Sequence, residues 1–271
     1  MGAEERFGFI GGGNMGEAVI KGLLQSGRTR PRNVFVFDPA SGRLEHLCRE
    51  YKINAVKSNE ALVQETNIII LAVKPQIMDE VLSRIGSILG HGRLVVSIAA
   101  GVSLKHIQEA IAAPAPVIRV MPNTPALVLA GAAALARGEH AGDENMALAK
   151  GIFESVGLAV EVEEKYMDVV TGLSGSGPAY IFILLEALTD GAVRLGLPRD
   201  KARLLAGQTI LGAAKLALET GTPPGQLKDM VTSPGGTTAA GLHVLERGGF
   251  RGLVMDAVAA AAHRSAELGG K

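Results

Sequence analysis

Three glycines, Gly11, Gly13 and Gly16, form the first pattern in this chain whose spacing could do chemistry. A short apolar run, residues 7–10, precedes them, and residues 17–24 carry apolar side chains at helical spacing. This order predicts a strand, a tight turn and a helix whose first N–H groups can bind a pyrophosphate. Glycine is abundant, with 35 in the chain, so the strand before and the helix after are what favour a dinucleotide site over an ordinary glycine-rich turn.

Asp38 ends a second apolar run, residues 34–37, about 20 residues beyond the glycine pattern. A carboxylate at this position can accept hydrogen bonds from both ribose hydroxyls of NAD. Ser41 and Arg43 follow closely and could instead hold the 2′-phosphate of NADP. A purely structural role for Asp38, as a capping or turn residue before Pro39, is the third possibility. The sequence leaves these alternatives open.

Further apolar runs at residues 67–73, 94–98 and 117–121 are typical of parallel strands covered on both faces. Open α/β sheets bind ligands at the carboxyl ends of such strands. Lys74 is therefore a candidate contact to cofactor or substrate, with a solvated surface lysine as the alternative. Asn123 and Thr124, held between two prolines, form a candidate edge for a nicotinamide or substrate, with a plain turn as the alternative.

The second half contains two more glycine-rich turns. Residues 173–177 predict a break between two helices, with N–H groups exposed at the helix start and Pro178 in its first turn. Residues 233–238 predict that one helix ends and another begins at Thr237 and Thr238. The positive end of that second helix is a candidate carboxylate site built without an arginine; simple helix capping by Ser and Thr is the alternative.

Strand and helix signals alternate to about residue 165, and strand signals largely disappear after it. The predicted fold class is α/β, with an N-terminal Rossmann-type doubly wound sheet in residues 1–165 and a C-terminal all-α dimerisation domain in residues 166–271. The predicted helix at residues 178–195 is apolar around much of its surface. A helical half this small can hardly bury several such helices, so an interlocked homodimer is expected, with a compact monomeric bundle as the alternative.

Composition narrows the class of protein. The 27 basic side chains balance the 27 acidic ones, and Trp is absent, which argues against nucleic-acid binding. The single Cys48 excludes an intrachain disulfide and fits a reducing compartment. No signal peptide is evident, no uninterrupted apolar run reaches about 20 residues, and the histidines lack metal-ligand spacing. We therefore expect a cytoplasmic protein with no membrane partner and no metal.

Residues 171–180 read TGLSGSGPAY, and residues 228–246 read KDMVTSPGGTTAAGLHVLE. These two motifs resemble those of one known family, the pyrroline-5-carboxylate reductases. The stretches 9–16, 72–75, 97–101 and 121–125 also fit, so the resemblance covers essentially the whole chain. It implies reduction of 1-pyrroline-5-carboxylate to L-proline, the last step of proline biosynthesis. It also implies NADP(H) or NAD(H) as cofactor, with NADPH slightly favoured, and dimers that assemble as a pentamer of dimers, a decamer.

By this resemblance, a set of residues in the first half should line the cofactor site, and the strand-end argument adds Asn123. They are Ile10, Gly11, Gly12, Gly13, Asn14, Met15, Asp38, Asn59, Ala72, Val73, Lys74, Pro75, Ile98, Ala99, Ala100 and Asn123. One departure matters here: many relatives carry a small polar residue in place of Asp38, so their preference for NADP does not transfer directly.

Likewise, the residues at the family's substrate-contact positions, or beside them, are Glu164, Met230, Ser233, Gly235, Gly236, Thr237 and Thr238, and Thr171 and Ser176 should shape the wall of the site. The predicted catalytic residues are Thr238, Glu164 and Thr171. The Thr238 hydroxyl would hydrogen-bond near the ring nitrogen. Glu164 would stabilise the positive iminium, with a plain surface carboxylate as the alternative. Met230 stands where the family often has Asn, which leaves a side-chain contact there in doubt.

Two other classes of function remain open. A β-hydroxyacid dehydrogenase would need an interior catalytic lysine, for which Lys215 is the candidate, but the Asn expected four residues later is Glu219. A protein that senses NAD(P) without turnover would keep the first glycine turn and would not need the turn at residues 233–238.

Overall fold

The computed structural model describes residues 5–90 and 92–270. The chain divides into two compact units: the first comprises Met1–Ser176 and Ala260–Lys271, and the second comprises Gly177–Ala259. The division falls between Ser176 and Gly177, whereas the predicted domain boundary is at residue 165. The last residues of the chain return to the first unit.

The first unit contains an eight-stranded sheet in the order β3-β2-β1-β4-β5-β6-β7-β8. The strands are β1 Phe7–Ile10, β2 Val34–Phe37, β3 Asn54–Ala55, β4 Ile68–Leu71, β5 Leu94–Ser97, β6 Val117–Met121, β7 Gly131–Arg137 and β8 Gly157–Glu161. Neighbouring strands are parallel except β6 and β7, which pair antiparallel. The predicted doubly wound α/β fold is confirmed.

The α-helices are α1 Asn14–Gln25, α2 Ser41–Tyr51, α3 Asn59–Glu65, α4 Met78–Ile85, α5 Leu104–Glu109, α6 Asp143–Glu154, α7 Met167–Val170, α8 Gly177–Arg194, α9 Arg199–Thr220, α10 Pro224–Met230, α11 Thr237–Arg247 and α12 Phe250–Leu268. Short 3₁₀ turns at Pro31–Asn33, Pro75–Ile77, Thr124–Val128 and Glu164–Tyr166 connect several of these elements.

Alternation along the central strands builds two apolar clusters, one on each face of the sheet. In β4, Ile68 and Ile70 belong to one cluster, and Ile69 and Leu71 to the other. Successive side chains of a strand point to opposite faces, so a strand covered on both faces must be apolar throughout. This burial fixes the carboxyl ends of β1, β4 and β5 side by side at one edge of the sheet.

The helices of the second unit leave large apolar side chains uncovered in the single chain. Phe182 and Ile183 on α8 are 59% and 66% exposed. On α9, Leu204 and Leu205 are also exposed. Several large apolar side chains exposed on neighbouring helix positions are typical of an interaction site, which agrees with the expectation that the helical half needs a partner.

By length and composition alone, the stretch Glu164–Arg194 is apolar enough to cross a membrane. This criterion is a mean hydropathy over the stretch, which Ser174, Glu186 and Thr189 interrupt. The expectation that no uninterrupted apolar run reaches about 20 residues is therefore not contradicted. Almost none of the stretch is buried in the single chain. One such stretch is weak evidence for a membrane, since the core helix of a soluble protein passes the same test.

One predicted feature of the helical half differs from the structure. The break expected at residues 173–177 is instead a π-helical turn at Thr171–Gly175, closed by a hydrogen bond of 2.8 Å from the Ser176 N–H to the Thr171 carbonyl. Its N–H groups are therefore used within the helix. The helix expected to begin at Thr237 is present as α11, and Gly249, with a φ of +73°, separates it from α12.

Candidate functional site

The turn between β1 and α1 shows why each of its glycines is needed. Gly11 has a φ of +97°, and a Cβ there would lie 2.6 Å from the Ala72 carbonyl oxygen. A Cβ on Gly16 would lie 2.9 Å from the Gly11 carbonyl oxygen. Gly13 has an ordinary φ of −63°, and a Cβ there would meet no described atom within 4 Å. Gly11 and Gly16 are thus required by the fold, whereas Gly13 borders open space that a ligand can occupy.

The start of α1 supplies hydrogen-bond donors to that open space. The first intrahelical bond runs from the Glu17 N–H to the Gly13 carbonyl, at 2.9 Å. The N–H groups of Asn14, Met15 and Gly16 lie ahead of it, and Gly13 has no side chain with which to cap them. Such a helix start, with its positive dipole end, suits a pyrophosphate. The predicted cofactor residues of this turn therefore fit the group they are expected to hold.

The carboxylate of Asp38 is fixed next to the same turn. Its Oδ2 accepts the Gly12 N–H at 2.8 Å, and its Oδ1 accepts the Ala40 N–H at 2.9 Å. An ionised carboxylate has about four acceptor positions, so capacity remains for ribose hydroxyls. Two of the roles predicted for Asp38 are therefore compatible. Its carboxylate orders the turn between β2 and α2, and it lies beside Gly12, where it can also accept hydrogen bonds from ribose hydroxyls.

Arg43 binds the other backbone polar group of Gly12, its carbonyl. Its Nε donates to the Gly12 carbonyl oxygen, and its Nη2 donates to the Glu17 carboxylate. The same carboxylate lies 3.1 Å from His46 Nε2 and accepts the Tyr51 hydroxyl at 2.9 Å. Sequence reasoning missed Glu17, although a charged side chain amid the buried face of a helix could have drawn attention to it.

These contacts change the acidity of two groups. Burial alone would raise the pKa of Glu17, but hydrogen bonds from Arg43, His46 and Tyr51 outweigh it and lower that pKa below the ordinary value of 4.5. Burial, followed by the bond to Glu17, raises the pKa of Tyr51 to about 12. At neutral pH, Glu17 is therefore a carboxylate and Tyr51 a neutral hydroxyl that donates to it.

The other predicted cofactor residues lie where strands and helices meet the ligand edge of the sheet. Residues 72–75 directly follow β4, and residues 98–100 directly follow β5. Lys74 is exposed. Asn59 opens α3 and is 8% exposed, and among the described residues its buried Oδ1 has no hydrogen-bond partner. Because a buried acceptor without a donor is costly, this atom fits a site completed by a bound ligand.

Both polar atoms of the Asn123 side-chain amide form hydrogen bonds within the protein. Its Nδ2 donates to the Ser174 carbonyl at 3.0 Å, and its Oδ1 accepts the Ala132 N–H at 2.8 Å. The amide thereby ties the end of β6 to β7 and to the π-helical turn. Its predicted contact with the cofactor stays a prediction, for which Nδ2 and Oδ1 each keep one further hydrogen-bonding position.

Glu164 is anchored by one of its two carboxylate oxygens. Oε1 accepts the Leu104 N–H at 2.7 Å and lies 3.1 Å from Nη1 of Arg119, which is 3% exposed. Neither contact uses Oε2. Arg119 was also missed by sequence reasoning, although a charged residue inside the apolar run 117–121 is the signal that would have found it. Thr171 donates its hydroxyl to the Met167 carbonyl at 2.8 Å.

The turn that precedes α11 repeats the geometry of the first glycine turn. Gly235 has a φ of +68°, and the Gly236 N–H donates to the Ser233 carbonyl at 3.0 Å. The first helical bond runs from Ala240 to Gly236 at 3.3 Å. The N–H groups of residues 237–239 therefore precede it, beside the hydroxyls of Thr237 and Thr238, and form an arrangement that can bind a carboxylate.

The two units divide the predicted site residues between them. The first unit contains the cofactor set together with Glu164, Thr171 and Ser176, and the second contains the substrate set from Met230 to Thr238. Met230 is 73% exposed. Lys215, the residue that a hydroxyacid dehydrogenase would need in its interior, is exposed and lies 3.6 Å from Glu219. Within residues 5–90 and 92–270, no group of His, Cys, Asp and Glu could hold a metal ion.

Two family models match the chain. The model for pyrroline-5-carboxylate reductase dimerisation covers residues 164–268, and a model for NADP oxidoreductase, coenzyme F420-dependent, covers residues 6–101. The first confirms the predicted C-terminal dimerisation domain, and the second confirms an N-terminal domain of the nucleotide-binding class.

Similar proteins match over nearly the full length. The chain is 48% identical to a pyrroline-5-carboxylate reductase from Methanosarcina acetivorans over 98% of this chain and 99% of the relative. It is 44% identical to the Escherichia coli enzyme over 98% of each chain. A solved pyrroline-5-carboxylate reductase from Coxiella burnetii superposes with a TM-score of 0.93 at 38% identity, over 98% of this chain and 99% of the other. A Plasmodium falciparum pyrroline carboxylate reductase with NADP bound gives a TM-score of 0.88 at 35% identity, over 98% of each chain. This chain belongs to the pyrroline-5-carboxylate reductase family.

Proposed function

We propose that this protein is an NAD(P)H-dependent oxidoreductase that reduces the C=N bond of 1-pyrroline-5-carboxylate to give L-proline, the last step of proline biosynthesis. Full-length similarity to enzymes of this name, at up to 48% identity, carries the proposal. The geometry agrees with it, because the chain has one glycine turn suited to a pyrophosphate and a second suited to a carboxylate.

The substrate is a cyclic imine that carries a carboxylate. Its protonated C=N is already a good hydride acceptor, so the protein does not need a strong acid. When bound, the nicotinamide cofactor supplies the hydride. What remains for the protein is alignment: holding the reacting carbon atoms about 3–3.5 Å apart can supply much of the rate.

We assign the substrate carboxylate to the N–H groups at the start of α11. Gly235 and Gly236 shape the turn there, and Ser233 lies beside it. The Thr238 hydroxyl would donate or accept a hydrogen bond near the ring nitrogen, in the role that sequence analysis predicts. In this proposal Met230 contributes only apolar surface, since its thioether cannot replace the amide that relatives often carry.

Glu164 is proposed to stabilise the positive iminium through Oε2. The Leu104 N–H and the buried Arg119 guanidinium both bind Oε1 and hold the carboxyl group in one orientation. Thr171 and Ser176 are proposed to shape the wall of the site. The Thr171 hydroxyl donates to the Met167 carbonyl, and its oxygen can still accept a hydrogen bond within that wall.

The protein is a homo-oligomer through its C-terminal dimerisation domain. We propose that the dimer is the smallest active form, supported by the exposed apolar side chains of α8 and α9. Assembly of five dimers belongs to the proposal and rests on the family resemblance. A cytoplasmic location and the lack of a membrane partner also belong to it and rest on the composition of the chain. In this account the apolar stretch Glu164–Arg194 is covered by a second subunit.

The test is an assay of reduced-nicotinamide absorbance with 1-pyrroline-5-carboxylate, run separately with NADH and with NADPH. We expect oxidation of at least one cofactor, with L-proline formed in equal amount. Parallel reactions with NAD(P)⁺ and a β-hydroxyacid test the dehydrogenase alternative, for which no reduction is expected. Binding of cofactor without turnover of the imine would contradict the proposal and favour a sensing protein.

A further inference from the structure

The guanidinium of Arg43 is held at the turn that is expected to contact the adenosine ribose. One donor is used by the Gly12 carbonyl and another by the Glu17 carboxylate. The side chains of Arg43 and Glu17 are only 25% and 20% exposed. A pair shielded from water to this degree is stronger than a surface ion pair, and breaking it leaves a charge without its partner.

Glu17 is itself held from three directions. His46 and Tyr51, both on α2, reach its Oε1, and Arg43, also on α2, reaches its Oε2. The carboxylate therefore joins α1 to α2, and it cannot follow Arg43 if that side chain swings away. The position of Arg43 is set by Glu17 as much as by its own rotamers.

The charges at this edge disfavour a further anion. Asp38 binds the N–H of the Gly12 peptide, and Arg43 binds the carbonyl of the same residue. With Glu17, two carboxylates and one guanidinium make a net charge of −1 when His46 is neutral. A phosphate monoester adds a charge of about −1.5 to −2. A hydroxyl pair, by contrast, can donate to the acceptor positions that remain on Asp38.

We propose that Glu17 is a positioning residue that withholds Arg43 from the adenosine 2′ position, so that this enzyme prefers NADH to NADPH. The inference rests on the proposed function, since it concerns the cofactor of that reaction. It also decides between the two sequence interpretations: Asp38 acts on the ribose hydroxyls, and Arg43 does not act on a 2′-phosphate while Glu17 is ionised and in place.

The test compares kcat/KM for NADPH with kcat/KM for NADH in four proteins: wild type, Glu17→Gln, Arg43→Met and the double variant. In wild type we expect NADH to be favoured by about tenfold, equivalent to about 1.4 kcal/mol. Glu17→Gln should raise the NADPH to NADH ratio by about tenfold. Arg43→Met should leave the wild-type ratio unchanged and abolish the gain in the Glu17→Gln background.

Three results would overturn the proposal: a wild type that prefers NADPH, a ratio that Glu17→Gln does not raise, or a ratio that falls when Arg43 alone is replaced. A ratio that falls when Arg43 alone is replaced would mean that Arg43 already binds the 2′-phosphate and that Glu17 holds Arg43 in position to do so. Glu45→Gln is the matched control, because it removes an exposed carboxylate from α2, the helix that carries Arg43, and its ratio should equal that of wild type.

A binding measurement separates this inference from the proposed function. Calorimetric titration with adenosine 2′,5′-bisphosphate and with AMP needs no substrate and no hydride transfer. Glu17→Gln should strengthen binding of the bisphosphate and leave binding of AMP unchanged. If neither cofactor supports turnover but this shift occurs, the proposed function fails and the inference about Glu17 stands. If turnover occurs without the shift, the inference fails alone.

Discussion

The two glycine turns use the same local geometry in very different surroundings. Each places a glycine with positive φ, Gly11 or Gly235, shortly before a helix whose first N–H groups precede the helical bonds. Gly11 and Gly12 are buried and bonded to Phe37, Asp38 and Arg43 far along the chain. The hydrogen bond that closes the second turn joins Gly236 to Ser233 within the turn itself, and Gly235 is exposed.

This difference indicates how each anion site is made rigid. The first turn is ordered by the sheet of its own subunit, so a single chain should bind the dinucleotide. The second turn is part of a helical unit whose apolar side chains are uncovered in the single chain, so its order should depend on the partner subunit. The comparison therefore separates cofactor binding, a property of one chain, from catalysis, a property of the dimer.

The largest expected effect comes from breaking the dimer. Ile183→Asp places a charge on the exposed apolar face of α8, which should yield monomers with activity at background, because an obligate assembly has no competent monomer. Binding of AMP to the first turn should persist. Size-exclusion chromatography, the activity assay and calorimetry give the three readouts.

Ala112→Glu is the control for this prediction, since it adds a charge at an exposed position of the sheet domain and should leave both assembly and activity intact. A stable, active monomer of Ile183→Asp would show that the second turn is ordered without a partner.

Thr238→Ala should lower kcat/KM for the imine by about 10- to 150-fold, since losing a hydrogen bond to a charged group costs about 1.5–3 kcal/mol. Thr238→Ser retains the hydroxyl and should recover most of the loss. The affinity for cofactor should not change in either variant. Unchanged kinetics in Thr238→Ala would mean that only the backbone of the second turn acts on the substrate.

Two alanine substitutions in the first turn should separate folding from binding. Gly11→Ala forces a side chain into a positive φ and against the Ala72 carbonyl, so it should lower the free energy of unfolding by about 1–3 kcal/mol. Gly13→Ala meets open space, so it should leave thermal stability unchanged and weaken cofactor binding. Thermal unfolding and calorimetry distinguish the two; equal destabilisation by both variants would contradict this division of roles.

The smallest expected effect is a pH dependence of stability at Glu17. Its folded-state pKa is lowered by its hydrogen bonds, so its contribution is present above the ordinary value of 4.5 and is lost as pH falls below it through the folded-state pKa. The stability difference between wild type and Glu17→Gln should therefore be larger at pH 7 than at the acid end of the folded range. A difference that grows on acidification would have the wrong sign.

Much of the fold could be predicted from short-range patterns. The strands at residues 7–10, 34–37, 68–71, 94–97 and 117–121, with both faces covered, follow from largely apolar runs in the sequence. The π-helical turn could not be predicted, because Ser and Gly at residues 173–177 favour a break locally and the surrounding helix overrides that preference.

Individual residues of the candidate site could be predicted from the sequence, but the contacts that position them could not. The glycine turn, Asp38 and Thr238 were each recognisable from their neighbours in sequence. The role of Arg43 was not, because it depends on Glu17, which lies 26 residues away. The same holds for Glu164, which lies in a 3₁₀ turn and whose orientation depends on Arg119 in β6. Charge pairs between distant elements leave no periodic signal in the sequence.

The most direct test of the account is transfer of deuterium from cofactor labelled at C4 of the nicotinamide ring to 1-pyrroline-5-carboxylate, followed by mass spectrometry of the product. The account predicts L-proline that carries one deuterium on the ring carbon that had been doubly bonded to nitrogen. Cofactor that binds the protein and yields no labelled proline would contradict it.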